Sequence, residues 1–180
     1  IYVGAHGVAN HLIQMLEAAR LLIDRNDVHF VLVGTGMQKE WLQEKAHELQ
    51  LNNVEFVDPV SKDEVFKYIA AADIGASVLK KVDAFKTVYS NKTFDYMACS
   101  RPVLMAIDGV SRQLVVDAEC GAYVEPENPN DFAEKVAAYA DMDVDIRLKQ
   151  GQAGHAYARA HFDRDMLAER YVKHLQAIAS

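Results

Sequence analysis

The chain has 180 residues, of which 51% are hydrophobic and 25% charged; this is typical of a globular domain and excludes disorder as the default interpretation. With 19 basic and 26 acidic residues the formal net charge is −7, which is unfavourable for nonspecific binding to nucleic acid or to anionic lipid. The two cysteines have no metal-ligand spacing, and two thiols without a disulfide framework are typical of a reducing compartment.

Short apolar runs alternate with amphipathic stretches along the chain, and this alternation predicts strands followed by helices. In chain order we predict a strand at 1–4, a helix at 11–25, a strand at 29–34, a helix at 38–49, a strand at 54–57, a helix at 61–72, a strand at 73–79, a helix at 91–99, a strand at 102–107, a helix at 111–118 and a strand at 122–124. Residues 128–180 are predicted to be helical, with breaks near 141–143 and 162–163. Ser61 and Glu64 form a capping-box sequence, and Asn128 before Pro129 is a typical helix start.

Repeated strand–helix alternation predicts an α/β fold. We expect a doubly wound, Rossmann-like parallel sheet of about six strands with helices on both faces and a helical C-terminus. No internal repeat or flexible linker divides the sequence, so residues 1–180 are expected to form a single domain. Because the chain starts inside a core strand at Ile1, we expect it to be part of a longer protein whose missing part lies upstream.

Ligands of a doubly wound sheet bind beyond the carboxyl ends of the strands, so the loops there are the candidate site. Gly4 and Gly7 follow the first predicted strand, and Gly34 and Gly36 follow the second. Glycine lets backbone approach a phosphate closely, and a following helix start offers free amide groups. A simple turn also explains each glycine, and the spacing alone leaves both interpretations open.

The helix predicted to begin near Asn91 carries a more specific pattern. Lys92 and Asp95 are three residues apart and share one helix face near its start. There an ammonium group can hold a phosphate, and a carboxylate can accept hydrogen bonds from ribose hydroxyls. The alternative is a solvated ion pair between the two side chains. Residues 74–92 hold four lysines and one aspartate, a local charge of +3 that suits a diphosphate, although an ordinary basic loop would look the same.

Other chemistry is not indicated by the sequence. The histidines His6 and His11 are too few and too poorly spaced for a metal site, and no pair of acids is placed for general acid–base work. We therefore expect no metal, no cofactor and no catalytic residue in this chain. Trp41 is expected to pack in the core, and Cys99 to be an unreactive helix residue.

Several segments together resemble a known family. They are residues 2–4, 31–36, 54–60, 69–74 and, most specifically, the sequence Phe-Asp-Tyr-Met-Ala-Cys-Ser-Arg-Pro-Val at 94–103. They are similar to the C-terminal, donor-binding domain of a GT-B glycosyltransferase of glycosyltransferase family 4, and the resemblance runs over essentially all 180 residues. It implies metal-independent transfer of a sugar, with retention of configuration, from a nucleotide-sugar donor, expected to be a UDP-sugar, to a lipid-linked or saccharide acceptor.

The resemblance assigns roles and also exposes departures. Asp95 stands at the ribose-binding acid, the second acid of the family's Glu-x7-Glu motif, whereas Thr87 replaces the first acid. The Arg and Lys that hold the diphosphate after the first strand are missing, with Ala5 and His6 there instead. The Gly-x-His-Gly pattern resembles a subgroup that builds bacterial capsule and O-antigen polysaccharide and includes N-acetyl-L-fucosamine transferases, and it implies that phosphate holding passes to Lys92 and to backbone amides. The predicted donor-binding residues are Gly4, His6, Gly7, Gly34, Gly36, Val60, Thr87, Asn91, Lys92, Thr93 and Asp95.

The same resemblance implies an absent N-terminal acceptor-binding domain as partner, and a cytoplasmic enzyme with peripheral contact to the inner membrane. No nucleic-acid partner is expected. Two alternatives stay open. One is an enzyme similar to a UDP-sugar 2-epimerase, which would need catalytic acids that the sequence does not offer. The other is a non-catalytic α/β binding module.

Overall fold

The predicted alternation of strands and helices is present in the computed structural model, which describes residues 1–179; Ser180, where the predicted C-terminal helix ends, lies outside the described residues. The strands are β1 (Tyr2–Val3), β2 (Phe30–Val33), β3 (Val54–Val57), β4 (Gly75–Val78), β5 (Val103–Ala106) and β6 (Gly121–Tyr123). The helices are α1 (Ile13–Leu21), α2 (Lys39–Glu48), α3 (Lys62–Ala71), α4 (Asn91–Ala98), α5 (Val110–Asp117), α6 (Pro129–Asp141), α7 (Val144–Phe162) and α8 (Arg164–Ala179). Short 3-10 helices cover Val8–Asn10 and Asp83–Thr87.

The strands form two three-stranded parallel sheets, in the orders β1-β2-β3 and β4-β5-β6, and not the single six-stranded sheet that we predicted. The sheets adjoin at β1 and β4, where the Ala76 amide donates to the Ile1 carbonyl oxygen at 2.8 Å. Beyond this bond the hydroxyl of Tyr96 lies between the strands, because it accepts from the Val3 amide at 3.1 Å and donates to the Ala76 carbonyl oxygen at 3.0 Å. The Tyr96 side chain thus takes the place of the next backbone hydrogen bond between β1 and β4, which explains why the strands form two sheets.

Helices cover both faces of the strands, as predicted. One core cluster joins the strands to buried residues of α1, α2 and α6, among them Leu16, Leu42 and Phe132. A second cluster joins them to α3, α4 and α5 and to the inner side of α7. This two-sided burial explains why the strand sequences are continuous apolar runs.

Local sequence signals set several helix boundaries. The capping box is confirmed, since the Ser61 hydroxyl accepts from the Glu64 amide while the Glu64 carboxylate accepts from the Ser61 amide. Asn128 caps α6, with Pro129 in its first turn. The expectation for Trp41 is wrong: it is 39% exposed, because α2 turns Leu42 and Ala46 toward the core instead.

Candidate functional site

The loops at the carboxyl ends of the strands are bonded to one another. The His6 amide donates to the Thr35 carbonyl oxygen at 2.8 Å, and the Gln38 amide donates to the His6 carbonyl oxygen at 2.9 Å. On the other side, the Lys80 amide donates to the Ala9 carbonyl oxygen at 2.8 Å. The loop after β1 is therefore held between the loops after β2 and β4, and this edge is where ligands of such folds bind.

The glycines of these loops have different physical roles. A Cβ on Gly34 would lie 2.0 Å from the Gly4 carbonyl oxygen, and one on Gly36 would lie 2.6 Å from that of His6. Both glycines are thus explained by backbone packing between the first two loops. At Gly7 a Cβ would meet only the Asn10 side chain, at 3.6 Å. Gly7 is therefore the glycine of this group that best leaves room for a ligand.

Lys92 lies against the loop after β1. Its ammonium group is 4.8 Å from the centroid of the Tyr2 ring, and it donates to Asn10 Oδ1 over a long 3.4 Å. Its stem passes Gly4, where a Cβ would be only 3.2 Å from Lys92 Cε. Burial lowers the pKa of Lys92 to about 8, since a low-dielectric environment disfavours the charged form.

Lys92 has no carboxylate partner within residues 1–179. It does not pair with Asp95, so the solvated ion pair that the sequence left open is not formed. The start of α4 beside it is uncapped by any side chain, because the Ser90 hydroxyl makes no capping hydrogen bond, and Asn91 is exposed. A desolvated cation beside free helix amides is an arrangement suited to an anion.

Asp95 lies one turn further along α4 and is partly buried. Burial raises the pKa of its carboxyl group, and the charge of Lys62 opposes that shift. Lys62 is the first residue of α3, and α3 is in contact with α4.

Two of the predicted donor-binding residues have buried side chains. The His6 side chain is fully buried between Tyr2 and Phe56, with ring centroids 6.0 and 6.1 Å away. Burial, with a contribution from the Lys39 charge, lowers its pKa to about 4. Thr93 is also fully buried, and its hydroxyl is bonded to that of Ser77 at 3.0 Å. Helix geometry turns Thr93 toward β4, away from Lys92.

The other predicted residues are placed less decisively. Val60 is partly buried, and its side chain packs against the second core cluster. Thr87 is exposed, and its hydroxyl donates to the Ala84 carbonyl oxygen within its own turn. The basic character of its loop is reduced, because Lys81 pairs with Glu125 and Lys86 with Asp83.

Lys39 is a largely buried cation that the sequence did not indicate. From the start of α2 its ammonium group reaches the Gly34 carbonyl oxygen at 2.9 Å and Asp58 Oδ1 at 2.7 Å. A lysine on a polar helix gives no sequence signal for this role. Asp58 lies 19 residues further along the chain, and the approach to the Gly34 carbonyl oxygen, five residues earlier, forms only in the folded state.

A cavity of about 360 Å³ lies elsewhere, at the amino ends of the strands. Apolar side chains such as Met15, Leu104 and Phe132 line much of it, with Asp73 and Arg147 among its charged residues. It is remote from Lys92 and Asp95, so we place the candidate site at the carboxyl edge. Within residues 1–179 no cluster of three potential metal ligands occurs, and no helix there combines the length and apolar character needed to cross a membrane.

Parallel α/β domains with a cation at this edge include many nucleotide-binding domains. The chain belongs to the group 1 glycosyltransferases, because the model of that family matches residues 1–141. A curated relative, an uncharacterized glycosyltransferase of Methanocaldococcus jannaschii, is 26% identical over 133 residues, which are 74% of this chain and 36% of the relative. The prediction of a glycosyltransferase is thereby confirmed at the level of the family.

Solved structures with low sequence identity share the fold. Anabaena HepE in complex with UDP has a TM-score of 0.82 at 18% identity, over 98% of this chain and 48% of that one. S. aureus TarM, in a complex that contains UDP, has a TM-score of 0.79 at 17% identity, over 96% of this chain and 34% of that one. The C-terminal domain of LpcC from Francisella tularensis has a TM-score of 0.74 at 20% identity and is covered to 85%. The chain thus spans less than half the length of HepE and TarM.

Proposed function

We propose that this chain is the donor-binding part of a GT-B, family 4 glycosyltransferase that holds a UDP-sugar at the carboxyl edge of its strands. The observation that carries the proposal is Lys92, a desolvated ammonium group beside the uncapped start of α4 that has no carboxylate partner among the described residues. Burying a charge without a counter-ion is costly, and a bound anion removes that cost. A diphosphate offers several acceptor oxygens to the ammonium and to the amides.

The ribose is placed by Asp95. In a nucleoside diphosphate the ribose is bonded directly to the diphosphate. If the diphosphate binds at the start of α4, the ribose lies next to it, and Asp95 is one helical turn from Lys92. A carboxylate accepts two hydrogen bonds from neighbouring ribose hydroxyls. The complexes of HepE and TarM with UDP support uridine as the nucleoside of the donor.

The chemical step follows from this placement. The bond between the anomeric carbon of the sugar and the diphosphate oxygen breaks, and its electron pair leaves with the phosphate, on which negative charge develops. The oxygen of an acceptor hydroxyl forms the new bond to the anomeric carbon, and the hydroxyl proton passes to the leaving phosphate. Lys92 and the α4 amides stabilise that charge without requiring a metal ion. We propose that the sugar keeps its anomeric configuration, and that catalytic and acceptor-binding groups belong to an N-terminal domain of the full-length protein, which leaves this chain inactive alone.

The acceptor is proposed to be lipid-linked or a saccharide, in the synthesis of bacterial surface polysaccharide. The Gly-x-His-Gly sequence at 4–7 supports assigning this chain to the subgroup that includes N-acetyl-L-fucosamine transferases. Such an acceptor would bring the cytoplasmic enzyme to the inner face of the membrane as a peripheral protein.

Isothermal titration calorimetry of the chain with UDP tests the proposal. We expect binding that weakens about 10- to 100-fold in Lys92→Met and in Asp95→Ala, since each removes charge-assisted hydrogen bonds. Asp63→Asn, an exposed acid in the first turn of α3, is the matched control and should leave affinity unchanged. Circular dichroism verifies that each variant is folded. Absence of binding at millimolar UDP, or equal affinity in all three variants, contradicts the proposal.

A further inference from the structure

Three uncharged groups from residues 2–10 surround the Lys92 side chain. The centroid of the Tyr2 ring lies 4.8 Å from its ammonium group, Gly4 borders its stem, and Asn10 Oδ1 accepts its hydrogen bond at 3.4 Å. Burial raises the pKa of Tyr2 well above its ordinary value, so this ring carries no charge near neutral pH. Lys92 is therefore held in place by neighbours that do not neutralise it.

Asn10 provides the directional contact among these three. A hydrogen bond fixes the position of the ammonium nitrogen, whereas a ring face attracts a cation over a broad area. The backbone of Asn10 is itself fixed, because its amide donates to the Gly7 carbonyl oxygen at 3.1 Å. The carbonyl oxygen of the preceding residue, Ala9, accepts from the Lys80 amide at 2.8 Å. Asn10 therefore presents its side-chain oxygen from a turn that is bonded on two sides.

The residue type at position 10 decides how much of the lysine charge stays available. An amide oxygen accepts a hydrogen bond from an ammonium group and carries no net charge. A carboxylate at the same place would accept the same bond, but it would also pair with the cation and repel a phosphate. The neutral side chain of Asn10 therefore orients Lys92 and leaves its positive charge for an anionic ligand.

We propose that Asn10 is a positioning residue of the donor site, which directs the Lys92 ammonium group toward the donor diphosphate and acts through Lys92 alone. This role rests on the proposed function, because it requires a diphosphate at Lys92. An indirect role disappears when Lys92 is removed, whereas a direct contact with the ligand or a purely structural effect persists.

A double-mutant cycle tests the indirect role. In calorimetry with UDP, Asn10→Ala is expected to weaken binding about 3- to 10-fold in the unchanged chain, but less than about 1.5-fold in the Lys92→Met variant. Asn52→Ala, at an exposed residue of the loop before β3, is the matched control and should leave affinity unchanged. Urea denaturation checks that each variant is folded. Equal losses in the two backgrounds, or no loss in either, overturn the positioning role.

Asn10→Asp tests the importance of a neutral side chain. The new carboxylate is expected to raise the pKa of Lys92 from about 8 to above about 9, and to weaken UDP binding at least about tenfold. Asn52→Asp adds the same charge at the amino end of β3 and should change neither quantity. The pKa is measured without nucleotide by carbon NMR titration of the lysine Cε signals, with Lys92→Met identifying the signal of Lys92. An unchanged pKa in Asn10→Asp means that side chain 10 does not contact the ammonium group, and it overturns the positioning role.

The outcomes separate this role from the function beneath it. Binding of UDP that depends on Lys92 and Asp95 but not on Asn10 overturns the positioning role and leaves the donor site standing. Failure of the unchanged chain to bind UDP at millimolar concentration overturns the proposed function and, with it, the positioning role, even where Asn10→Asp raises the pKa of Lys92.

Discussion

The ammonium group of Lys92 lies 4.8 Å from the centroid of the Tyr2 ring, so a helix that begins after β4 is linked directly to the first strand. The aromatic face partly compensates the buried charge. It does not neutralise it, and burial still lowers the pKa of Lys92 to about 8. This contact is what places a cation over the loop after β1, where the family's usual basic residues are absent.

The affinity for UDP should therefore depend on pH. A bound diphosphate favours the ammonium form, and in the free chain that form is lost as the pH rises through about 8. Because the diphosphate is fully ionised above pH 7, we expect affinity to fall about tenfold between pH 7 and pH 9. Lys92→Arg should bind with nearly constant affinity over this window, since a guanidinium stays charged. A flat calorimetric profile for the unchanged chain would be incompatible with this role of Lys92.

Much of the fold could be predicted from the sequence because its signals are local. The capping box at Ser61, the cap at Asn128 and the apolar strand runs each depend on a few neighbouring residues. The split of the sheet could not be predicted, because the Tyr96 hydroxyl meets Val3 and Ala76 only after tertiary packing. The number of strands could be predicted from the sequence, but the break in the sheet between β1 and β4 could not.

The candidate site was predictable only in part, for the same reason. Helical spacing predicted that Lys92 and Asp95 lie near the start of α4, but it did not predict the direction in which each side chain points. The family resemblance placed His6 and Thr93 among the donor-binding residues, whereas the structure buries both side chains. Lys39 gave no signal, because its partners are loop atoms from two different strand ends.

Tyr96→Phe is expected to destabilise the chain while leaving its packing volume unchanged. The variant leaves the buried Val3 amide without its acceptor and the Ala76 carbonyl without this donor, at a cost of about 1–3 kcal/mol in the free energy of unfolding. Urea denaturation measures this change. Tyr171→Phe, at a site 65% exposed on α8, should be neutral. Equal stability of the two variants would remove the bridging role of Tyr96.

Gly34→Ala should cost more than Gly7→Ala. At Gly34 the backbone has a φ of +141°, and a Cβ would lie 2.0 Å from the Gly4 carbonyl oxygen, so strain and overlap together cost roughly 2–5 kcal/mol. At Gly7 the nearest contact is 3.6 Å, and the fold should tolerate alanine. Thermal unfolding of the two variants decides between two roles for these glycines. Loop packing predicts a large loss of stability for Gly34→Ala only, whereas a shared phosphate-binding role predicts small and similar losses for the two variants.

His6 should make the fold sensitive to acid. Its pKa is about 4 in the folded chain and about 6.5 when unfolded, so its neutral form contributes stability that is present above about pH 6.5 and is lost as the pH falls toward 4. His6→Phe keeps an aromatic ring and does not titrate. When the pH is lowered from 7 to 4.5, the free energy of unfolding of His6→Phe should rise by about 2 kcal/mol relative to that of the unchanged chain. A constant difference across this range would mean that His6 is not buried as a neutral group.

The position of the nucleotide is tested most directly by a crystal structure of the chain with UDP. We expect diphosphate oxygens within hydrogen-bonding distance of Lys92 Nζ and of the first amides of α4, with ribose hydroxyls bonded to the Asp95 carboxylate. UDP bound in the cavity at the amino ends of the strands, or a site at Lys92 left empty at saturating UDP, would contradict it.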